Sequence, residues 1–210
     1  MSFLYEDQEQ RQWIAFVRHA PTAWNRSGRL QGRTDIPLLD ESVEALKNTR
    51  IHDDYIRANW FSSPLARAHQ TASILSGQSV NVVDELTETN WGLYEGLDLS
   101  ELKTRIKKDR LEPSRGLEMR PPDGESAGDV RQRLTRWLTS GRPKSNAVAV
   151  THKGVIRSAI SLACGWDMES PFWIEVDFRR PLLFEYSQQS DSPIRLLHAN
   201  LEWDQPVVCP

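Results

Sequence analysis

The chain of 210 residues has only two cysteines, Cys164 and Cys209, and neither has metal-ligand spacing to the other or to a histidine. A disulfide framework or a cysteine-ligated metal is therefore not the organising device, and reduced thiols in a cytoplasmic protein are expected. No apolar run approaches the ~18 residues of a membrane span. The opening Met-Ser-Phe-Leu-Tyr-Glu-Asp is too short and too acidic for a secretory signal. Neither sign of charge dominates: 26 Lys and Arg stand against 29 Asp and Glu, for a net charge of −3. That excludes the basic field of general nucleic-acid binding, so any anion site must be local. Internal repeats and low-complexity tracts are lacking too. One domain over residues 1–210, with a polar leader at 1–12, is the expectation.

What is present is ordinary globular composition, 39% hydrophobic and 26% charged, with a high count of eight Trp. Trp13, Trp60 and Trp137 fall at the starts of probable strands or helices, where core packing is the default use. Short apolar runs at 13–17, 58–62, 80–83 and 147–151 read as buried strands. Between them lie helical patterns at 40–50, 65–75, 98–109, about 126–139 and 155–164. Ser62-Ser63-Pro64 predicts a helix start, a hydroxyl cap followed by proline at the first helical position. Residues 110–124, rich in Pro and Gly, read as irregular, and closing strands are predicted at 173–178, 182–186 and 194–198. Strands alternating with helices imply an α/β fold, a three-layer α/β/α sandwich around a mostly parallel central sheet.

Two of the apolar strands run directly into a histidine: 13–17 is followed by Arg18-His19, and 147–151 by His152. In open α/β sheets ligands bind where strands end. An Arg-His pair alone is common and marks no more than a polar strand end. Two histidines at the ends of two apolar strands point to one shared crevice if those strands are neighbours. Arg67, in the first turn of the 65–75 helix, is a cation where the helix dipole disfavours one, which suggests a functional demand. The chemistry this pattern suits is attack by a neutral imidazole on a phosphoryl group held by arginines.

In order along residues 13–165, the chain resembles the histidine phosphatase superfamily, which includes cofactor-dependent phosphoglycerate mutase and many small-molecule phosphatases. The resemblance is carried by Arg18-His19 with Thr22 and Asn25, by Leu30-Gln31-Gly32-Arg33-Thr34-Asp35, and by Ser62-Ser63-Pro64-Leu65-Ala66-Arg67. It continues through Leu86-Thr87-Glu88 with Gly92 and Glu95-Gly96, then Gly124-Glu125-Ser126 and Thr151-His152-Lys153-Gly154. It implies that His19 is the nucleophile and becomes a phosphohistidine. Arg18, Arg67 and His152 would clamp the phosphoryl oxygens with a hydrogen bond from Asn25. Glu88 would serve as acid and then base, without metal or cofactor. Thr22, Gln31 and Gly32 are further candidates for the phosphate-binding loop.

The chain departs from the family pattern in two places. Ala20 follows the nucleophile where the family has Gly, which is tolerable unless the backbone needs positive φ. Lys153 replaces the first Gly of the usual His-Gly-Gly, and it is either a solvated lysine or a contact for a second anionic group. Glu85 and Glu95 compete with Glu88 for the acid role; spacing favours Glu88, with Glu95 structural. The mutase branch uses a Tyr and a Lys after the acid, where this chain has Trp91 and Leu99, and its adjacent arginine pair is not matched by the separated Arg115 and Arg120. Hydrolysis of a small phosphomonoester by a monomer or homodimer is therefore the expectation, similar to the α-ribazole phosphatase and broad-specificity branch. Mutase-type transfer and a non-catalytic phospho-ligand module are the alternatives.

Overall fold

The computed structural model describes residues 12–109, 116–187 and 192–208. The expected leader therefore lies almost wholly outside the described residues, as do Arg115, Cys209 and positions 110–115 of the irregular segment. β1 (Gln12–Arg18) and β4 (Ala147–Thr151) lie at the centre of one sheet, paired in parallel from Ile14 opposite Ala147 to Arg18 opposite Thr151. β2 (Asn59–Ser62) and β3 (Asn81–Val82) extend it in parallel on one side. On the other side β5 (Leu182–Tyr186) runs antiparallel to β1, and β6 (Ile194–His198) antiparallel to β5. The order is β3-β2-β4-β1-β5-β6.

Every residue of β4 is buried, as a strand covered on both faces requires. Alternation along β1 sorts the two cores. Ile14 and Phe16 pack beneath α6 (Ala127–Thr139) and α7 (Lys153–Cys164). Trp13, Ala15 and Val17 pack on the opposite side, with Tyr55 of α3 (Asp53–Ile56) and Ala68, Ala72 and Leu75 of α4 (Ala66–Ser76). α2 (Asp40–Lys47) packs against α4 on that side. The three-layer α/β/α architecture is the one expected, and Trp13, Trp60 and Trp137 are all core residues. A short α1 (Ala23–Arg26) follows β1, and α5 (Leu99–Lys108) precedes the irregular segment.

Two local expectations fail. The predicted strand at 173–178 is absent, because backbone groups there bond to a side chain instead of a sheet edge. Asp177 N–H donates to Asn200 Oδ1 at 2.7 Å, and Asn200 Nδ2 donates to the Glu175 carbonyl at 2.9 Å. The predicted helix start at Ser63-Pro64 is displaced, since α4 begins at Ala66. Its first amide is capped from a distance, Ala66 N–H donating to Asp35 Oδ1 at 2.9 Å. Ser63 is thereby freed for other work. α7 begins at Lys153, earlier than the predicted 155, with His152 in the cap position.

Candidate active site

Parallel pairing carries β1 and β4 to the same end of the sheet. Pairing continues one residue past β1, with His19 N–H donating to the Thr151 carbonyl at 2.9 Å. The imidazoles of His19 and His152 then lie beside each other, ring centres 5.1 Å apart. His19 lines a cavity of about 810 Å³ whose wall also includes Arg18, Arg67 and Glu88, and His152 is fully buried behind it. His19 Nδ1 lies 2.7 Å from the Ala20 carbonyl, which can only accept, so the ring proton sits on Nδ1. Nε2 is left with its lone pair. Burial, then the positive charges of Arg67 and Arg18, push the His19 pKa well below 6.5, so the ring is neutral. His152 is pushed the same way by burial, His19 and the arginines.

His152 Nε2 is 2.8 Å from Ser63 Oγ, whose oxygen also accepts the Leu65 N–H at 3.2 Å. With the Ser63 hydroxyl donating to Nε2, His152 carries its own proton on Nδ1. That atom is buried without a partner, and so are Arg18 Nε and Arg67 Nε. A buried unsatisfied donor costs about 1–3 kcal/mol, and polar atoms left without partners on Arg18, Arg67 and His152 suit the oxygens of a bound anion. Ser63 reads in the sequence as a helix cap, and no local signal assigns it to His152, which lies 89 residues away.

Arg67 is almost wholly buried, and its guanidinium is seated by the loop at 31–35. Nη1 donates to the Thr34 carbonyl at 2.9 Å and Nη2 to the Gly32 carbonyl at 2.7 Å. Glu95 braces that loop from behind, accepting from Arg33 N–H at 2.7 Å, Thr34 N–H at 2.8 Å and Thr34 Oγ1 at 2.5 Å. Gly32 has φ +58°, and a Cβ there would fall 2.0 Å from Glu95 Oε1, so only glycine fits. Glu125 ties the same loop to the acid's segment, pairing with Arg33 at 3.0 Å and Arg133 at 3.2 Å and accepting Asn90 N–H at 2.9 Å.

Of Glu85, Glu88 and Glu95, Glu88 alone lines the cavity. Its Oε1 accepts Thr89 N–H at 2.8 Å and Gly154 N–H at 3.1 Å. Burial raises its pKa above 4.5, against the pull of those amides and of Arg67 and Arg18. A carboxyl whose protonated form burial favours, on the same cavity wall as a neutral imidazole, has the chemistry required of a proton donor beside a nucleophile.

The remaining candidates divide. Asn25, Gln31, Gly32 and Lys153 line the cavity. Asn25 Oδ1 accepts Thr22 N–H at 3.0 Å, which leaves its Nδ2 hydrogens to donate elsewhere. Thr22 is fully buried behind that wall, its hydroxyl 3.0 Å from Gln31 Oε1. It braces the loop. Ala20 is not among the positive-φ residues, so alanine costs nothing where the family has glycine. Leu99 is exposed and off the cavity, Trp91 lines it, and Arg120 pairs with Asp129 at 2.5 Å. The described residues contain no cluster of His, Cys, Asp and Glu that could hold a metal ion and no helix long and apolar enough to cross a membrane.

Similarity to known proteins agrees with this geometry. The chain is 27% identical over 189 residues to a 2,3-bisphosphoglycerate-dependent phosphoglycerate mutase of Gloeobacter violaceus, covering 82% of this chain and 85% of the relative. It is 27% identical over 166 residues to an uncharacterized phosphatase, PhoE, of Bacillus subtilis, covering 74% and 79%. The crystal structure of a putative alpha-ribazole-5'-P phosphatase from Escherichia coli superposes with a TM-score of 0.76 at 21% identity, over 94% of this chain and 100% of that one. At that identity the likeness is one of fold. The sequence profile of the histidine phosphatase superfamily (branch 1) matches residues 14–192, and the chain belongs to that superfamily.

Proposed function

We propose that the protein hydrolyses small phosphomonoesters through a phosphohistidine on His19. The observation that carries this reading is the unprotonated Nε2 of His19 in a site where Arg18 Nε, Arg67 Nε and His152 Nδ1 are buried without partners. Nε2 attacks phosphorus, and the bond from phosphorus to the ester oxygen breaks. Glu88 gives its proton to the departing oxygen. Glu88, now a carboxylate, takes a proton from water as that water attacks the phosphohistidine. Nε2 is released, inorganic phosphate leaves, and Glu88 is again protonated. Arg18, Arg67 and His152 meet the negative oxygens throughout, which is the main work of phosphoryl transfer.

Mutase-type transfer is the second reading, favoured by the name of the Gloeobacter relative. Hydrolysis is preferred because Leu99 lies away from the cavity and Arg120 is held by Asp129. Release of inorganic phosphate from p-nitrophenyl phosphate, lost in His19→Ala, is the expected result. A His19→Ala protein that retains the activity refutes the mechanism. Movement of phosphate between positions of 3-phosphoglycerate faster than its release refutes hydrolysis.

A further inference from the structure

The proposed chemistry leaves part of the cavity wall unused, and that part is cationic. Lys153 and Arg157 stand four residues apart on one side of α7, and Lys103 and Lys107 are spaced likewise on α5; all four line the cavity. Among the described residues Glu169 is the one carboxylate besides Glu88 on the wall. The chain as a whole is net negative, so this is a local concentration of positive charge. Among the described residues none of the four cations is in an ion pair.

Aromatic faces hold two of them instead. Lys153 Nζ sits 5.1 Å from the centre of the Phe178 ring, and Arg157 Cζ sits 4.7 Å from that of Trp166. A ring face fixes a cation in place without neutralising it, unlike a carboxylate. Both charges are thus oriented and still available. Lys153 lines the same cavity as Arg18, His19 and Arg67, and burial together with the charges of Arg18 and Arg157 lowers its pKa. A cavity of about 810 Å³ has room for a whole metabolite.

We propose that the substrate carries a second anionic group, a carboxylate or a second phosphate, and that Lys153 and Arg157 receive it while His19 takes the first phosphate. This rests on the hydrolase reading above and makes the two residues determinants of specificity.

The test compares esters that differ only in the second charge: 3-phosphoglycerate with glycerol 3-phosphate, and fructose 1,6-bisphosphate with fructose 6-phosphate. In the unaltered protein at least one doubly anionic member should exceed its partner in kcat/KM by about tenfold or more, as a charge-assisted contact implies. The pair that shows the preference distinguishes carboxylate from phosphate. In Arg157→Gln and in Lys153→Gln that ratio should fall toward one. No preference in the unaltered protein, or a preference that survives both substitutions, overturns the proposal. Equilibrium binding of the same pairs to His19→Ala asks the question without turnover. Retained discrimination there, with no phosphate released by the unaltered protein from any ester, sinks the hydrolase reading and leaves the anion subsite standing.

Discussion

Gly154→Ala separates the positioning of the acid from the stability of the fold. A Cβ at position 154 would land 2.3 Å from Glu88 Oε1 and 2.3 Å from Thr89 Oγ1, where ordinary contact begins at 3.4 Å. Both obstacles are side-chain tips, so the fold survives by letting the Glu88 carboxylate move by about 1 Å, a displacement that can cost on the order of 10²-fold in rate. The same move strains the bond from Gly154 N–H to Glu88, now 3.1 Å long. Stability should change little, because alanine in place of glycine in a helix contributes up to about 1 kcal/mol in compensation. The assay is kcat/KM on two esters, which reports formation of the phosphohistidine. An alkyl phosphate, with a poor leaving group that needs a proton, should lose about 10²-fold. p-Nitrophenyl phosphate, whose leaving group needs none, should lose far less. Equal losses on the two esters, or no loss on either, would refute the assignment of Glu88 as the acid.

Two more perturbations follow from the same geometry. His19 is productive when neutral, above its lowered pKa, and Glu88 when protonated, below its raised pKa. A profile of kcat/KM against pH on an alkyl phosphate should therefore be bell-shaped with its acid limb well below 6.5, and an acid limb at 6.5 or above would contradict the buried neutral imidazole. Glu95→Ala should strip the acceptor from the Arg33 and Thr34 amides and loosen the carbonyls that seat Arg67. A loss of about 2–3 kcal/mol and a fall of roughly 4–10 °C in melting temperature are expected, together with reduced kcat/KM. A thermal melt of the variant that coincides with the unaltered protein's would show that the brace is dispensable.

The sequence by itself determined the architecture and the two histidines that the central strands bring together, because both are written in short-range pattern. Fully apolar strands at β1 and β4 have to be central, and the residue after each strand has to emerge at its end, so His19 and His152 are legible once the strands are neighbours. The helix predicted at 40–50, observed over Asp40–Lys47, and the one predicted at about 126–139, observed over Ala127–Thr139, are local in the same sense. Tertiary packing alone decided what depends on distant partners. The three carboxylates at 85, 88 and 95 are chemically alike; they part because Glu95 is taken up by the loop 62 residues before it, while Glu88 is desolvated in the cavity. Asp35 caps α4 from 31 residues upstream and so shifts its start, which leaves Ser63 for His152. The alternating apolar residues at 173–178 look like a strand until Asn200 takes up their backbone bonds. Periodicity reports which face of an element is buried, and it carries no information on which remote group will satisfy a given donor or charge.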